Sequence, residues 1–295
     1  MAEPHIGFIG VGLMGHGAAK HIRRKGYALT VMGHRNRAPV EDLVAQGAME
    51  ATTPAALARD CQVVITCVTS SKIMEQLVFG DDGLMSIPGE NRILVDMTTA
   101  EPTSTLKIYE ALTGHGWRML DAPMTRTPKE AEEGRLNLIV GGEAELLAQV
   151  PPILETYSEN IFHAGPIGAG HKLKLINNFL SLGHAALAAE AAATATRVGV
   201  DIQTLFDVVS VGGANSVMFQ LLMRYPLQGD DTGLQFTLTN ARKDYGYYMD
   251  MTRAAGTTPT VGAAVYQSLS LADALGHGGE FVPHLLDVFK NLNGD

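Results

Sequence analysis

The chain has 295 residues, of which 46% are hydrophobic and 18% are charged, so it can build a substantial core in one large or two ordinary domains. Its formal net charge of -9 argues against nucleic acid or an anionic membrane as a partner, since either requires a basic face. Two cysteines, Cys61 and Cys67, form no CxxC pair, and the start of the chain lacks a signal-peptide pattern. We therefore expect a globular, cytoplasmic protein without a disulfide framework or a membrane span.

Up to about Gly165, short runs rich in β-forming residues alternate with helical stretches. Several runs are almost continuously apolar, which indicates strands buried on both faces of a sheet. We predict strands over residues 5–10, 28–33, 62–68, 92–97, 117–124, 136–142 and 159–165. We predict helices over residues 14–25, 39–46, 72–79 and 103–114. The alternation predicts an α/β domain over residues 1–165 with a mostly parallel sheet.

Beyond Gly165 the strand pattern disappears, and helical periodicity dominates residues 170–290. Breaks between helices are predicted at residues 199–201, 212–216, 225–233, 256–259 and 276–280. The sequence therefore predicts an all-helical domain over residues 166–295, hinged to the first domain near Gly165–Pro166.

The first chemical motif lies in "IGFIGVGLMGHGAAKHI", where Gly10, Gly12 and Gly15 have G-x-G-x-x-G spacing after a strand and before a helix. In this motif the glycines allow a tight turn, close approach of a pyrophosphate, and helix–strand packing. We predict a dinucleotide site that also includes Leu13 and Met14, with a methyltransferase turn for S-adenosylmethionine as the alternative. Val68, the last residue of another predicted strand, and Thr69, directly after it, are assigned to the same site.

The turn after the second strand reads "MGHRNR", with His34, Arg35 and Asn36 where an NAD-selective site has an acidic residue. Two guanidiniums, of Arg35 and Arg37, suit the 2′-phosphate of NADP(H). We therefore predict NADP(H) as the preferred cofactor and keep NAD(H) as the other candidate. The alternative is a solvated basic turn.

A polar stripe crosses an otherwise apolar helix in "GAGHKLKLINNFLSLGHAALAAEAAATA". Lys174, Asn178 and Ser181 share one face, with Asn177 beside it. Such groups cost free energy on a buried helix unless partners or a ligand satisfy them. We interpret Lys174 as a proton donor to an alkoxide and Asn178 as a group that holds the substrate. The alternative is that Lys174 reaches water and the asparagines cap a kink.

Five motifs in order resemble the β-hydroxyacid dehydrogenase family, in particular its 3-hydroxyisobutyrate dehydrogenase-like members. They are "GFIGVGLMG", "DMTTAEP", "DAPM", "GAGHKLKLINN" and "ARKDYGYYMD". The resemblance implies a Rossmann-type first domain for NADP binding and a helical second domain for substrate binding and oligomerisation, joined to the first by a long helix. It also implies an active site between them on that long helix and a homodimer or homotetramer. It implies that Lys174 is catalytic with Asn178 as its partner, and that Thr99 lies near the nicotinamide. It also implies that Lys243, in a Lys243–Asp244 pair, lies near the cofactor and substrate.

One motif departs from the family pattern. After "DAPM" the chain has Thr125, Arg126 and Thr127 where most members have Ser-Gly-Gly for a substrate carboxylate. Arg126 adds a positive charge, and sulfolactaldehyde reductases of the same family look similar in this loop. We therefore expect the substrate's acidic group to be a carboxylate or a sulfonate. The alternative is that Arg126 pairs with Glu130 or Glu133 and only orders the loop.

Together these features predict an NADP(H)-dependent oxidoreductase that interconverts a small acidic aldehyde or semialdehyde and its hydroxy acid. Substrate binding is assigned to Thr125, Arg126, Thr127, Asn177 and Ser181. No metal site is expected, because the ten histidines form no HxxxH or HExxH motif; His171 and His184 are interpreted as packing or cleft residues. The alternative of another class is a cofactor-binding interaction or sensor protein without catalysis, and imine reduction ranks below it.

Overall fold

The structure, a computed structural model, describes residues 3–292 and residue 294. The chain divides into two compact units, the first ending at Lys174 and the second beginning at Leu175. Across the described residues, none of the helices combines the length and the apolar character that a membrane crossing requires.

The first unit is built on a nine-stranded sheet with eight helices in the described residues. The strands are β1 (Ile6–Ile9), β2 (Leu29–Met32), β3 (Met49–Glu50), β4 (Val63–Thr66), β5 (Ile93–Asp96), β6 (Arg118–Asp121), β7 (Met124–Thr125), β8 (Leu136–Gly141) and β9 (Ser158–Gly165). The helices are α1 (Gly15–Arg24), α2 (Ala38–Ala45), α3 (Pro54–Asp60), α4 (Ser71–Phe79), α5 (Pro102–Gly114), α6 (Pro128–Glu132), α7 (Ala144–Leu147) and α8 (Pro151–Leu154), with a 3-10 turn at Leu84–Ser86.

The strand order is β3-β2-β1-β4-β5-β6-β8-β7, with β9 paired to β8. The strands from β3 to β6 are parallel to their neighbours, whereas β8 runs antiparallel to β6 and β7. The order reverses between β1 and β4, which is the point where doubly wound sheets bind ligands beyond the carboxyl ends of their strands. The predicted site residues after β1, β2, β4 and β5 all follow such carboxyl ends.

The predicted fold class is confirmed, since a mostly parallel sheet precedes a helical region. Strands β1, β4 and β5 are buried at every position, because their branched apolar side chains pack against helices on both faces of the sheet. The strand β3 and the helices α3, α6, α7 and α8 have no counterpart among the predicted elements. The single strand predicted over residues 117–124 is divided into β6 and the start of β7.

The second unit is helical. Its helices are the continuation of α9 (Ala169–Arg197), α10 (Ile202–Ser210), α11 (Val217–Gln228), α12 (Leu238–Ala254), α13 (Thr260–Ala272) and α14 (Leu285–Leu292), with short turns at Thr232–Leu234, Asp273–His277 and Val282–His284. Alanines of α9 pack with Leu238 and Tyr245 of α12 in one core. The predicted break over 225–233 begins too early, because α11 continues through Pro226 to Gln228 and ends at Gly229 in the left-handed conformation.

The start of α9 belongs to the first unit. Its first residues contact β6 and β8 so closely that a Cβ on Gly170 would stand 2.4 Å from the carbonyl oxygen of Ile139. This packing explains why the first unit ends later than the boundary predicted at Gly165–Pro166. The assignment of cofactor and substrate roles to the two units stays a prediction.

Candidate active site

The loop after β1 carries the three glycines of the cofactor motif, and their surroundings differ. A Cβ on Gly10 would stand 2.2 Å from the carbonyl oxygen of Cys67, and one on Gly15 would stand 2.1 Å from that of Gly10. These two glycines therefore permit the backbone contacts that hold the loop. A Cβ on Gly12 would meet no described atom within 4 Å, so this position faces open space.

The same loop fits the phosphates of a dinucleotide. Helix α1 begins at Gly15, and the N–H groups in the first turn of a helix lack intrahelical partners and favour an anion. Gly12 leaves the approach to this turn free of a side chain. Next to it, Leu13 is exposed and Met14 is half-buried. This cradle is what the chemistry of a pyrophosphate requires.

Replacing Gly12 with alanine is expected to raise the Kd of the nicotinamide cofactor about 10- to 100-fold, the loss of one or two charge-assisted hydrogen bonds. The thermal unfolding temperature should not fall, because the added methyl group meets no protein atom. Calorimetric titration and thermal unfolding check both. Gly114→Ala is the matched control, since its Cβ also meets nothing within 4 Å. Equal cofactor affinity in the two variants would contradict the cradle.

The turn after β2 presents one available guanidinium rather than two. Arg37 forms a bidentate ion pair with Glu50 of β3, with distances of 2.8 and 2.9 Å, and this contact lowers the pKa of Glu50. The side chain of Asn36 accepts a hydrogen bond from the N–H of Ala38. Arg35 is exposed and has no partner among the described residues. His34, also exposed, stands beside it. The expectation of two free guanidiniums is therefore corrected to Arg35 alone.

The loops after β4 and β5 are tied together by a buried carboxylate. Asp96, the last residue of β5, accepts hydrogen bonds on Oδ1 from the Thr66 hydroxyl (2.9 Å) and from the N–H of Thr98 (3.0 Å). The Thr98 hydroxyl in turn accepts from the N–H of Val68 at 3.2 Å. Burial raises the pKa of Asp96, against the opposing effects of His171 and these hydrogen bonds.

These bonds hold the predicted cofactor residues of the two loops. Val68 is half-buried and Thr69 is exposed, just beyond the carboxyl end of β4. Thr99 is half-buried and follows Thr98 beyond the carboxyl end of β5. Three of the predicted residues therefore lie at neighbouring strand ends in the first unit, where a Rossmann-type sheet binds its nicotinamide.

The predicted substrate loop has an unusual backbone. Arg126 has a φ of +81°, a left-handed conformation that favours glycine, the residue that most family members have there. Its guanidinium contacts the carboxylate of Glu159 and the carbonyl oxygen of Arg135. Thr125 accepts a hydrogen bond from the Asn137 amide at 3.3 Å. The partner of Arg126 is thus neither Glu130 nor Glu133.

Thr127 completes this loop by capping α6. Its hydroxyl and N–H both donate to the carboxylate of Glu130, at 2.5 and 3.0 Å, within a capping box. The loop conformation is therefore set at both ends, by β7 before it and by α6 after it. Whether its three residues bind a substrate stays a prediction.

Helix α9 is anchored at its start by Asp121, the last residue of β6. The Asp121 carboxylate accepts hydrogen bonds from the N–H groups of Gly168 and His171, both at 2.7 Å. A buried carboxylate at a helix N-terminus satisfies orphan donors and interacts favourably with the helix dipole. One turn further, Lys174 is half-buried. The residue predicted to be catalytic therefore follows a turn that is held firmly to the sheet.

In the second unit, Asp244 organises the predicted residues. The buried amide of Asn178 donates to Oδ2 of Asp244 at 2.6 Å, and the Lys243 ammonium lies 2.7 Å from Oδ1. Lys243 also lies over the ring of Tyr247, 5.0 Å from its centroid. The Asn177 side-chain amide donates to Oδ1 of the Asn178 side chain at 3.4 Å. The Asn178 side chain therefore has a fixed orientation.

The structure adds functional candidates that the predicted site did not include, namely Asp96, Asp121, His171 and Asp244. All four had a sequence signal, since each begins or lies within a motif quoted for the resemblance. Ser181, on the predicted polar stripe, is half-buried. In the described part of the chain, no three His, Cys, Asp or Glu side chains group closely enough to hold a metal. Burial raises the pKa of the Cys67 thiol to about 12, which makes it a poor nucleophile.

Comparison with known proteins agrees with this geometry. A family model described as the NAD binding domain of 6-phosphogluconate dehydrogenase matches residues 5–165. One described as NAD-binding of NADP-dependent 3-hydroxyisobutyrate dehydrogenase matches residues 168–286. Because both halves match nicotinamide-dependent dehydrogenases, the chain is an NAD(P)-dependent oxidoreductase.

Individual relatives narrow this class. The chain is 30% identical to L-threonate dehydrogenase of Cupriavidus necator over 98% of this chain and 97% of the relative. It is 31% identical to 3-sulfolactaldehyde reductase of Escherichia coli, over 92% and 91%. The solved 3-hydroxyisobutyrate dehydrogenase of Salmonella typhimurium is similar with a TM-score of 0.86 and 26% identity, over 96% of this chain and 99% of that one. The chain belongs to the β-hydroxyacid dehydrogenase family, which confirms the resemblance inferred from its motifs.

Proposed function

We propose that this enzyme is an NADP(H)-dependent reductase of a small aldehyde or semialdehyde that carries an acidic group, acting reversibly on the corresponding hydroxy acid. The observation that supports this most is the anchored start of α9. Asp121 holds the turn before Lys174 against the end of β6, in the unit whose strand ends carry the cofactor cradle. A proton donor fixed in this way can act on a carbonyl oxygen with little reorganisation.

The residues have separate roles in this proposal. The nicotinamide, when bound, supplies the hydride for the carbonyl carbon. Lys174 donates a proton to the developing alkoxide, or accepts it in the reverse direction. Asn178, oriented by Asp244, holds the reacting carbonyl, while Lys243 contacts the cofactor. Asn177 and Ser181 complete the substrate contacts.

Thr125, Arg126 and Thr127 bind the acidic group in this proposal. The left-handed backbone of Arg126 costs about 1–2 kcal/mol of conformational free energy. A role of the side chain in substrate binding would account for an arginine at this position in spite of that cost. The Arg126 guanidinium forms an ion pair with Glu159 in the structure. A carboxylate or sulfonate of the substrate can form the same charge-assisted hydrogen bonds with it. The anion of the substrate would therefore replace Glu159 as the partner of Arg126.

Replacing Arg126 with glycine is expected to raise the KM of the acidic substrate about 10- to 1000-fold, through loss of a charged hydrogen-bond donor. Stability should change little, because glycine relieves the left-handed backbone while the ion pair with Glu159 is lost. Steady-state kinetics and thermal unfolding measure both effects. Arg135→Ala is the control, since Arg135 also pairs with Glu159. If both variants raise KM equally, Arg126 does not bind the substrate.

Arg35 sets the cofactor preference in this proposal, because its guanidinium is available for a 2′-phosphate. Replacing Arg35 with alanine is expected to lower the preference for NADPH over NADH about tenfold, the worth of an exposed charge-assisted contact. Ratios of kcat/KM for the two cofactors provide the measurement. Arg37→Ala should change the ratio less, because Glu50 already holds that guanidinium. An unchanged ratio in the Arg35 variant would make the turn a solvated one.

The proposal is tested by following nicotinamide absorbance with NADPH or NADH and a panel of acidic carbonyl compounds. The panel comprises succinic, methylmalonic and tartronic semialdehydes, glyoxylate and sulfolactaldehyde, with L-threonate and 3-hydroxyisobutyrate for the reverse direction. Turnover restricted to acidic members supports the proposal, and the best member distinguishes a carboxylate from a sulfonate. Cofactor binding without turnover of any member would favour the non-catalytic binding protein.

We also propose that the enzyme is a cytoplasmic homodimer or homotetramer. In the second unit, α9 exposes the apolar side chains of Ile176, Leu180 and Leu187 along one side. A row of exposed large apolar residues is typical of a surface that a second copy covers. Light scattering of the purified chain gives the number of copies, and a monomer at all concentrations would exclude this assembly.

A further inference from the structure

Two buried polar atoms face each other between β5 and α9 in the first unit. Asp96 is 1% exposed and His171 is fully buried. Oδ2 of Asp96 and Nε2 of His171 lie 4.0 Å apart, and neither has a hydrogen-bond partner among the described residues. Buried unpaired polar atoms are costly and rare, so this pair requires an explanation.

The hydrogen bonds around His171 determine which of its ring nitrogens carries a proton. Nδ1 of His171 lies 2.7 Å from the Thr105 hydroxyl, which can also donate to the carbonyl oxygen of Glu101 at 3.1 Å. If the hydroxyl donates to Nδ1, the neutral ring carries its proton on Nε2 and directs it at Oδ2 of Asp96. If the hydroxyl donates to Glu101, Nδ1 carries that proton, and Nε2 and Oδ2 face each other as two acceptors unless a second proton lies between them. A shift of about 1 Å by either side chain brings the atoms into hydrogen-bond range.

We propose that Asp96 and His171 hold one buried proton between them and act together as positioning residues for Lys174. This inference rests on the proposed function, in which Lys174 is the proton donor. His171 lies one helical turn before Lys174 on α9, and its backbone N–H is already bonded to Asp121. The shared proton would attach the His171 side chain to Asp96 of β5, so the same turn of α9 would be bound to β5 as well as to β6.

The pair also reaches the cofactor loops. Oδ1 of Asp96 accepts a hydrogen bond from the N–H of Thr98, and the Thr98 hydroxyl accepts one from the N–H of Val68. One buried link therefore connects the turn before Lys174 with two loops assigned to the nicotinamide. A change in the Asp96–His171 distance would move the proton donor relative to these loops, and a misplacement of about 1 Å can lower a rate about a hundredfold.

The charged and titratable groups around the pair agree with a retained proton. Asp121 of β6 lies 3.8 Å from Nδ1 of His171, and its carboxylate already accepts two backbone N–H groups. Directly after β4, the Cys67 thiol experiences the charge of Asp96, and burial together with this charge raises the pKa of the thiol. On α9 itself, Lys174 follows one turn later. Burial likewise raises the pKa of Asp96.

The first test uses the protein without cofactor, labelled with ¹⁵N in its ten histidines. We expect a slowly exchanging imidazole N–H signal that is absent from His171→Gln and from His171→Leu, and that shifts or disappears in Asp96→Asn. His184→Gln, which replaces an exposed histidine of the same helix, should leave it in place. If no such signal depends on both Asp96 and His171, the shared proton is excluded, whether or not the enzyme turns over.

The second test measures kcat, KM and cofactor Kd for the substrate with the highest turnover. Asp96→Asn and His171→Leu should each lower kcat about 10- to 100-fold, with KM and Kd changed less than about threefold. The double variant should be no slower than either single one, because the residues act as a unit. His171→Gln, whose amide can donate to Asp96, should recover part of kcat at the same unfolding temperature as His171→Leu.

The positioning role would be overturned if the two decreases in kcat multiplied in the double variant, or if His171→Gln and His171→Leu had equal kcat. Either result would leave the proposed function in place. Absence of turnover in the unsubstituted enzyme would overturn the proposed function and with it the role toward Lys174. In that case the labelled histidine signal still decides whether the proton is shared.

Discussion

Lys174→Ala is expected to lower kcat about a thousandfold, within the range that general acid–base catalysis contributes, while the cofactor Kd changes less than about threefold. The reason is that no other proton donor is assigned to the alkoxide, whereas the cradle around Gly12 is formed by backbone and does not involve Lys174. Steady-state turnover and calorimetric cofactor titration separate the two effects.

Two control variants make this result specific. Lys172→Ala removes the same charge from the same turn of α9, but its side chain is exposed, so kcat should stay within about twofold. Lys174→Arg keeps the charge but cannot release a proton, because a guanidinium stays protonated. It should therefore be nearly as slow as the alanine variant. A fast Lys174→Ala enzyme would remove the lysine from the mechanism.

The first unit was predictable because its strands are almost continuously apolar. Strands β1 and β4 contain no charged residue, and the one charged residue of β5 is Asp96 at its end, as expected for a parallel sheet with both faces covered. The strand β3, two residues long and exposed, carries no such pattern. Helix α11 continues for two residues beyond Pro226, although the proline has no N–H for the helix hydrogen bonds, so the proline did not mark the end of the helix.

The glycine loop was predictable because its chemistry is local, in a short stretch with fixed spacing. The roles of the carboxylates that organise the site were harder to predict, because their partners are distant in sequence. Asp121 binds Gly168 and His171, which lie 47 and 50 residues later, and Asn178 and Asp244 are 66 residues apart. Such pairs depend on how strands and helices are placed, which hydrophobic periodicity does not specify.

The two arginines illustrate the same limit. Their basic loops were recognised, but the acidic partners come from strands that are distant in sequence or separated by other elements. Arg37 pairs with Glu50 in β3, and Arg126 pairs with Glu159 in β9. A partner of this kind depends on strand order and register, and β9 also carries register irregularities against β8. The positive φ of Arg126 did have a signal, since glycine is usual at that position in the family.

Replacing Asp121 with alanine is expected to lower the free energy of unfolding of the first unit by about 2–5 kcal/mol. The carboxylate accepts two buried N–H groups, of Gly168 and His171, and each donor left unpaired costs about 1–3 kcal/mol. This loss is a large fraction of the stability of a typical domain. Urea unfolding followed by fluorescence of Trp117, the only tryptophan, reports on this unit because Trp117 is buried directly before β6.

Two further variants show whether the anchor itself is responsible. Asp121→Asn keeps one acceptor oxygen, so its loss of stability should be about half that of the alanine variant. Asp60→Ala removes an exposed aspartate of the same unit and should change the unfolding free energy by less than about 0.5 kcal/mol. Hydrogen exchange at Gly168 and His171 should accelerate in Asp121→Ala even under conditions where the unit stays folded, because these two N–H groups lose their acceptor. If Asp121→Ala and Asp60→Ala have the same unfolding midpoint, the Asp121 carboxylate is not what holds the start of α9 against the sheet. The placement of Lys174 would then require another cause.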